Sequence, residues 1–171
     1  MSVSSVTFLG KEVKLSGSQP DKGEKAPNAR LLNHAGEEVM LADILDGEIT
    51  IISVVPDVQT RTCELQTRRF AEEAKDQAFQ YITVGRNTVE EFNDWNADND
   101  LNVATYSDYQ GDFGLAYGLE INLDGELKDS RAVFVVGKDG KIHYKQIVQE
   151  VADEPDYAPA LQSAKGLVHG N

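Results

Sequence analysis

Three residues within one short span carry the strongest chemical signal: Pro56, Thr60 and Cys63, the last being the only cysteine of the 171-residue chain. A run of β-branched residues, Ile49 to Val55, precedes them, and an amphipathic stretch continues to Ala74. This order predicts a strand, a short turn and then a helix capped by Thr60, whose hydroxyl can accept from the first-turn N–H groups. Cys63 then occupies the third helical position. Unpaired N–H groups and the positive end of the helix dipole stabilise an anion there, and the ionised sulfur is the reactive form of cysteine. Arg61 adds positive charge nearby in sequence. A plainer reading stands beside this one: Cys63, Thr67, Phe70, Ala71 and Ala74 share one helical face, and a free cysteine is often a small buried apolar residue.

The elements around this span read as follows. Val6-Thr-Phe-Leu9 and Glu12-Val-Lys-Leu15 flank Gly10-Lys11 and predict an N-terminal hairpin over about residues 5–16. A second strand pair is expected from Ala29 to Leu32 and from Val39 to Leu41, followed by one helical turn, Ala42 to Leu45, ended by Asp46-Gly47. Glu48 to Val55 is apolar on both faces, as in a central strand covered on two sides. After the Cys63 helix come a strand at Gln80 to Val84, a helix at Val89 to Trp95 and a strand near Val103 to Tyr106. A turn-helix at Asp112 to Tyr117 follows. A hairpin of Arg131 to Val136 with Lys141 to Gln149 surrounds Gly137-Lys-Asp-Gly140, and a last helix is expected from about Asp156 to Leu167. The β-α-β-α-β alternation followed by a hairpin and helix predicts an α/β thioredoxin-like fold: a central mixed sheet flanked by helices, extended by an N-terminal β-hairpin, as one domain over residues 1–171.

Composition narrows the function classes. A formal charge of −13 disfavours nucleic acid and anionic membrane as partners, since both are bound by clustered Lys and Arg. The acidic residues, for example Glu72, Glu73, Glu90, Glu91, Asp98 and Asp100, read as solvated surface. No segment reaches the ~20 apolar residues of a membrane span. Met1-Ser-Val-Ser-Ser-Val-Thr7 has no signal-peptide pattern, and a single cysteine suits a reducing compartment, so a cytoplasmic location is expected. His34, His143 and His169 lack metal-ligand spacing, and no phosphate-binding glycine loop is present. No metal or cofactor is expected.

Val54-Val-Pro-Asp-Val-Gln-Thr-Arg-Thr-Cys63, followed by Gln66-Thr-Arg-Arg-Phe70, resembles the active-site segment of bacterial thiol peroxidases, a branch of the peroxiredoxins. The resemblance extends to Val6-Thr-Phe-Leu-Gly10, Gly23-Glu-Lys-Ala-Pro27, Ser107-Asp-Tyr109, Arg131-Ala-Val-Phe-Val135 and Glu154-Pro-Asp-Tyr157, nearly the whole chain. It implies that Cys63 is the peroxidatic nucleophile, that Thr60 and Arg131 orient and polarise the peroxide, and that Pro56 shields the sulfur. It also implies a homodimer.

The chain departs from that pattern at one place. The family's second, resolving cysteine belongs in the segment Glu90-Glu-Phe-Asn-Asp-Trp95-Asn96-Ala97. Asn96 stands there if Trp95 matches the family's aromatic residue, and Trp95 stands there under a different gap. With no second thiol, an intrachain disulfide cannot form. The expected activity is therefore a thiol-dependent reduction of hydrogen peroxide and organic hydroperoxides through a Cys63 sulfenic acid, resolved by an external thiol, either a low-molecular-weight thiol or a thioredoxin-type protein. The alternative is a redox-sensing or thiol-binding protein whose Cys63 oxidises but turns over poorly.

Overall fold

The computed structural model describes residues 3–170. Met1, Ser2 and Asn171, which the expected 1–171 unit and the reading of the N-terminal segment include, lie outside the described residues. Two antiparallel strands open the chain, β1 (Ser5–Phe8) and β2 (Lys11–Lys14), joined at Leu9-Gly10, where both residues adopt positive φ. Next come β3 (Arg30–Leu32), β4 (Glu38–Met40) and the single turn α1 (Leu41–Leu45), whose end is marked by left-handed Asp46 and Gly47. Strand β5 (Thr50–Val55) is buried at every position and leads to α2 (Arg61–Ala74). The remaining order is β6 (Gln80–Gly85), α3 (Val89–Asp98), β7 (Thr105–Ser107), α4 (Asp112–Ala116), β8 (Glu120–Leu123), β9 (Glu126–Asp129), β10 (Ala132–Val136), β11 (Ile142–Ile147) and α5 (Tyr157–Gly170).

Seven strands form the main sheet in the order β11-β10-β5-β6-β7-β3-β4, with β5, β6 and β7 parallel to one another and the other pairs antiparallel. Period-2 alternation divides β5 between two cores. Ile52 and Val54 pack with Phe113, Tyr117 and Phe134 beside α1 and α4, whereas Ile51 packs with Phe70, Val133, Leu161 and Ala164 beneath α2 and α5. The expected mixed sheet covered on both faces is therefore present. One element escaped the sequence reading: β8 and β9 form a hairpin around Asp124 and Gly125, both at positive φ. Asp-Gly between short alternating segments is the local signal for it. This hairpin packs on the N-terminal one through Val6, Leu15, Ile121 and Leu123.

Candidate active site

Strand β5 ends at Val55, and Pro56, which has no N–H to give a ladder, leaves the sheet there. Five residues then turn the chain into α2. Thr60 is extended (φ −82°, ψ 153°) and caps the helix, accepting from the Cys63 N–H at 3.4 Å. Its own hydroxyl proton goes to the Asp57 carbonyl oxygen at 2.9 Å, so the remaining lone pair of Oγ1 is an acceptor for a substrate O–H. Cys63 is at the third helical position, as the cap predicts. Helical Cβ atoms tilt toward the N-terminus, which tucks its side chain beneath the turn. Cys63 is 0% exposed, in a cluster with Val55, Val58, Phe92 and Trp95. Trp95 and Phe92 thus pack against the cysteine region from α3.

Tertiary pairing brings in Arg131. Ala132 of β10 faces Val54 of β5 in the antiparallel register, which sets the preceding residue beside the end of β5. Arg131 is 2% exposed. Its Nε donates to the Val151 carbonyl at 2.8 Å and its Nη1 to Gln66 Oε1 at 2.7 Å. Gln66 is itself buried and donates to Ser53 Oγ at 2.7 Å. No carboxylate pairs with this guanidinium among the described residues, so a buried cation is held by two neutral acceptors. Buried charges are ordinarily matched by an opposite charge, and this one is not.

Pro56, Thr60 and Arg131 line one pocket of about 390 Å³, together with Phe8, Leu123 and Val151 on an apolar side and Asp57, Glu126 and Lys128 on a polar one. Cys63 is not among its lining residues. A second hollow of about 410 Å³ lies between α2 and α3, bounded by Thr60, Arg61, Glu64, Asp94 and Trp95. Thr60 is the wall common to both. Of the four residues singled out from sequence, three share the pocket and the fourth is fully buried outside its lining. Arg61 does not serve the sulfur: its side chain is 80% exposed and pairs with Glu64 at 3.2 Å. Gln66 was legible only as part of a motif, because its burial opposes the usual exposure of its residue type.

At the place expected for a resolving cysteine, Asn96 donates to the Val103 carbonyl at 3.1 Å and accepts from the Val103 N–H at 3.0 Å, tying the end of α3 to the approach to β7. Among the described residues no group of His, Cys, Asp and Glu side chains has the arrangement of a metal site, and no helix is long and apolar enough to cross a membrane. Not all acidic residues are solvated. Asp108 and Asp129 are 1% and 0% exposed. Asp108 accepts from the Phe113 and Gly114 N–H groups, and a Cβ added at Gly114 would collide with the Asp129 carboxyl. Burial first, then the neighbouring Asp108, push the Asp129 carboxyl well above the usual carboxylate range, so it holds its proton.

Comparison with known proteins bears on the family and the fold. The Redoxin family's sequence profile matches residues 21–161. A protein named thiol peroxidase from Staphylococcus saprophyticus is 38% identical over 165 residues, spanning 95% of this chain and 98% of that one. Another of the same name from Listeria monocytogenes is 39% identical over 164 residues, spanning 94% and 97%. Among solved structures, a peroxiredoxin-like protein from Aquifex aeolicus superposes with a TM-score of 0.89 at 24% identity over 97% of this chain and 98% of its own. A thiol peroxidase from Chromobacterium violaceum superposes with a TM-score of 0.84 at 17% identity over 98% and 97%.

Proposed function

We infer that this chain, which belongs to the thiol peroxidases of the Redoxin family, reduces hydrogen peroxide and organic hydroperoxides by a one-cysteine cycle centred on Cys63. The observation that carries the reading is the buried Arg131 guanidinium without a carboxylate partner, facing the pocket that Thr60 and Pro56 also line. A thiolate and a polarised peroxide supply the missing negative charge. In the first step the Cys63 thiolate attacks the terminal oxygen of ROOH; the S–O bond forms as the O–O bond breaks. The sulfur is oxidised to sulfenic acid, and RO⁻ leaves and takes a proton from solvent as ROH. Arg131 stabilises charge on the departing oxygen, Thr60 Oγ1 accepts from the peroxide O–H, and Pro56 excludes water. Because the sulfur has no exposed surface, attack needs a small opening of the first α2 turn. The apolar wall of Phe8, Leu123 and Val151 supports acceptance of an organic R group.

The second half-reaction takes an external thiol. It attacks the sulfenic sulfur, forming a mixed disulfide and water; a second thiol then releases Cys63 as the thiol and leaves with the first as a disulfide. A low-molecular-weight thiol and a thioredoxin-type protein both suit this step. The same reading includes a cytoplasmic setting and a homodimer, the latter supported by exposed apolar Met40, Tyr109 and Leu115. Mass spectrometry after one equivalent of peroxide tests the cycle. The expected product gains one oxygen atom, is trapped by dimedone, is absent from Cys63→Ser, and reverts with added thiol at a rate sufficient for turnover. Oxidation that no thiol panel member reverses would favour the redox-sensing alternative instead.

A further inference from the structure

Asn87 belongs to the connection between β6 and α3, not to the Cys63 segment, yet it controls the backbone of that segment. It is 5% exposed. Its Oδ1 accepts from the Val58 N–H at 2.9 Å, and its Nδ2 donates to Asp57 Oδ1 at 3.0 Å and to Glu91 Oε1 at 3.4 Å. Every strong hydrogen-bonding position of the side-chain amide except one lone pair is used. Its backbone oxygen accepts from Ser107 Oγ, which anchors it to the end of β7. Glu91 is in turn fixed by a reciprocal cap with Thr88. A rigid support therefore holds the two residues that matter between Pro56 and Thr60. Asp57 supplies the carbonyl that takes the Thr60 hydroxyl proton, and Val58 is a fully buried wall of the Cys63 cluster.

We propose that Asn87 is a positioning residue for the peroxide step, setting the direction of the Thr60 hydroxyl through Asp57 and the seat of the Cys63 side chain through Val58. This rests on the peroxidase reading above. Thr60 Oγ1 accepts from the peroxide only while its proton points at the Asp57 carbonyl, which also takes the Thr60 N–H at 3.1 Å, and the Asn87 contacts to Asp57 and Val58 fix where that whole turn sits. Sub-ångström errors in such a contact reduce rate steeply, whereas a small electrophile that needs only the sulfur is indifferent to Thr60.

The test compares two reactions of the same sulfur in the full-length protein: oxidation by hydrogen peroxide, followed through the fluorescence of Trp95, the sole tryptophan and a neighbour of Cys63, and alkylation by iodoacetamide. Asn87→Asp keeps the acceptor for the Val58 N–H but sets a second carboxylate against Asp57 and Glu91. It is expected to lose peroxide rate by about a hundredfold while alkylation stays within about threefold. The reversed pair Asp57→Asn with Asn87→Asp restores one donor and one acceptor across the same contact, and is expected to return the peroxide rate to within about fivefold of the parent. Peroxide and alkylation rates falling together, an unchanged peroxide rate, or a folded reversed pair that recovers nothing would each overturn the proposal. A parent protein that alkylates at Cys63 but never reacts with peroxide would remove the peroxidase reading itself, and this inference with it, before any variant is compared.

Discussion

Replacing Arg131 by Met separates what the guanidinium does for the fold from what it does for the reaction. The substitution keeps most of the side-chain volume but deletes the donors to the Val151 carbonyl and Gln66 Oε1, at 2.8 and 2.7 Å. Each acceptor left unpaired in a buried place costs ~1–3 kcal/mol. Against that stands relief from burying a cation that no carboxylate matches, which offsets part of the loss. The balance is about 2 kcal/mol, survivable for a domain whose total stability is ~5–15 kcal/mol. The rate effect is larger: losing the main electrostatic donor to a developing oxyanion costs ~10²–10³ in rate. Urea unfolding reports the first quantity, and stopped-flow Trp95 fluorescence with hydrogen peroxide and then cumene hydroperoxide reports the second. Arg131→Lys retains charge but cannot reach both acceptors and substrate with a single ammonium, so it falls between parent and Met variant. A folded Arg131→Met protein that reacts with either peroxide within about threefold of the parent would refute the assignment of Arg131 to the reacting oxygens.

Other outcomes are accessible to simpler measurements. Asp129 holds its proton in the folded protein because burial and Asp108 raise its pKa, so the folded state binds a proton that the unfolded chain releases. Its favourable contribution is complete below the unfolded carboxyl range and is lost as pH rises through the folded value. Asp129→Asn, which puts a neutral side chain of the same shape in that buried place, is therefore expected to raise the urea midpoint near neutrality and to flatten its fall with pH; a steeper fall would contradict the raised Asp129 carboxyl. Glu150 behaves in the opposite sense. Backbone N–H groups of Ala152, Gly10 and Leu9, with the Thr7 hydroxyl, hold its carboxyl at about 2 against an ordinary 4.5. That stability is present above the ordinary value and disappears as pH falls toward the lowered one. Glu150→Gln should cost about 1 kcal/mol at pH 7, after discounting for its solvent exposure, less than half of that at pH 3 and nearly nothing once the pH reaches the lowered value; a pH-independent loss would be the contrary result. Finally, Asn96→Ala removes both hydrogen bonds to Val103 and should speed amide exchange at the end of α3, while the parent's Val89–Asp98 stays protected on oxidation. Large oxidation-induced opening of α3 in the parent would count against a cycle in which α3 stays folded.

Local rules made much of this molecule legible. The Thr60 cap and the third-position cysteine follow from one helix-start pattern, and the all-apolar Thr50–Val55 strand from a run without polar interruption. The β8–β9 hairpin carried its own Asp-Gly signal, but its four-residue strands, with no continuous apolar run, gave that signal little weight. Asn87 and Asp129 carried no local signal, and Gln66 one only within a motif, because each is a polar residue whose type ordinarily faces water and whose burial is set by distant parts of the chain.

What the sequence determined by itself was the candidate reactive atom: a lone thiol, its cap and the proline before it, set by residues within a few positions of one another, together with the absence of any second thiol along the chain. Only the tertiary structure decided what surrounds that atom. Arg131 comes beside the end of β5 through strand register, Asn87 reaches the loop before Cys63 from the end of the neighbouring strand β6, and Cys63 is sealed by Phe92 and Trp95 of another helix. Such contacts depend on how strands pair and helices pack over long sequence separations. Local propensity and spacing carry no information about those distances.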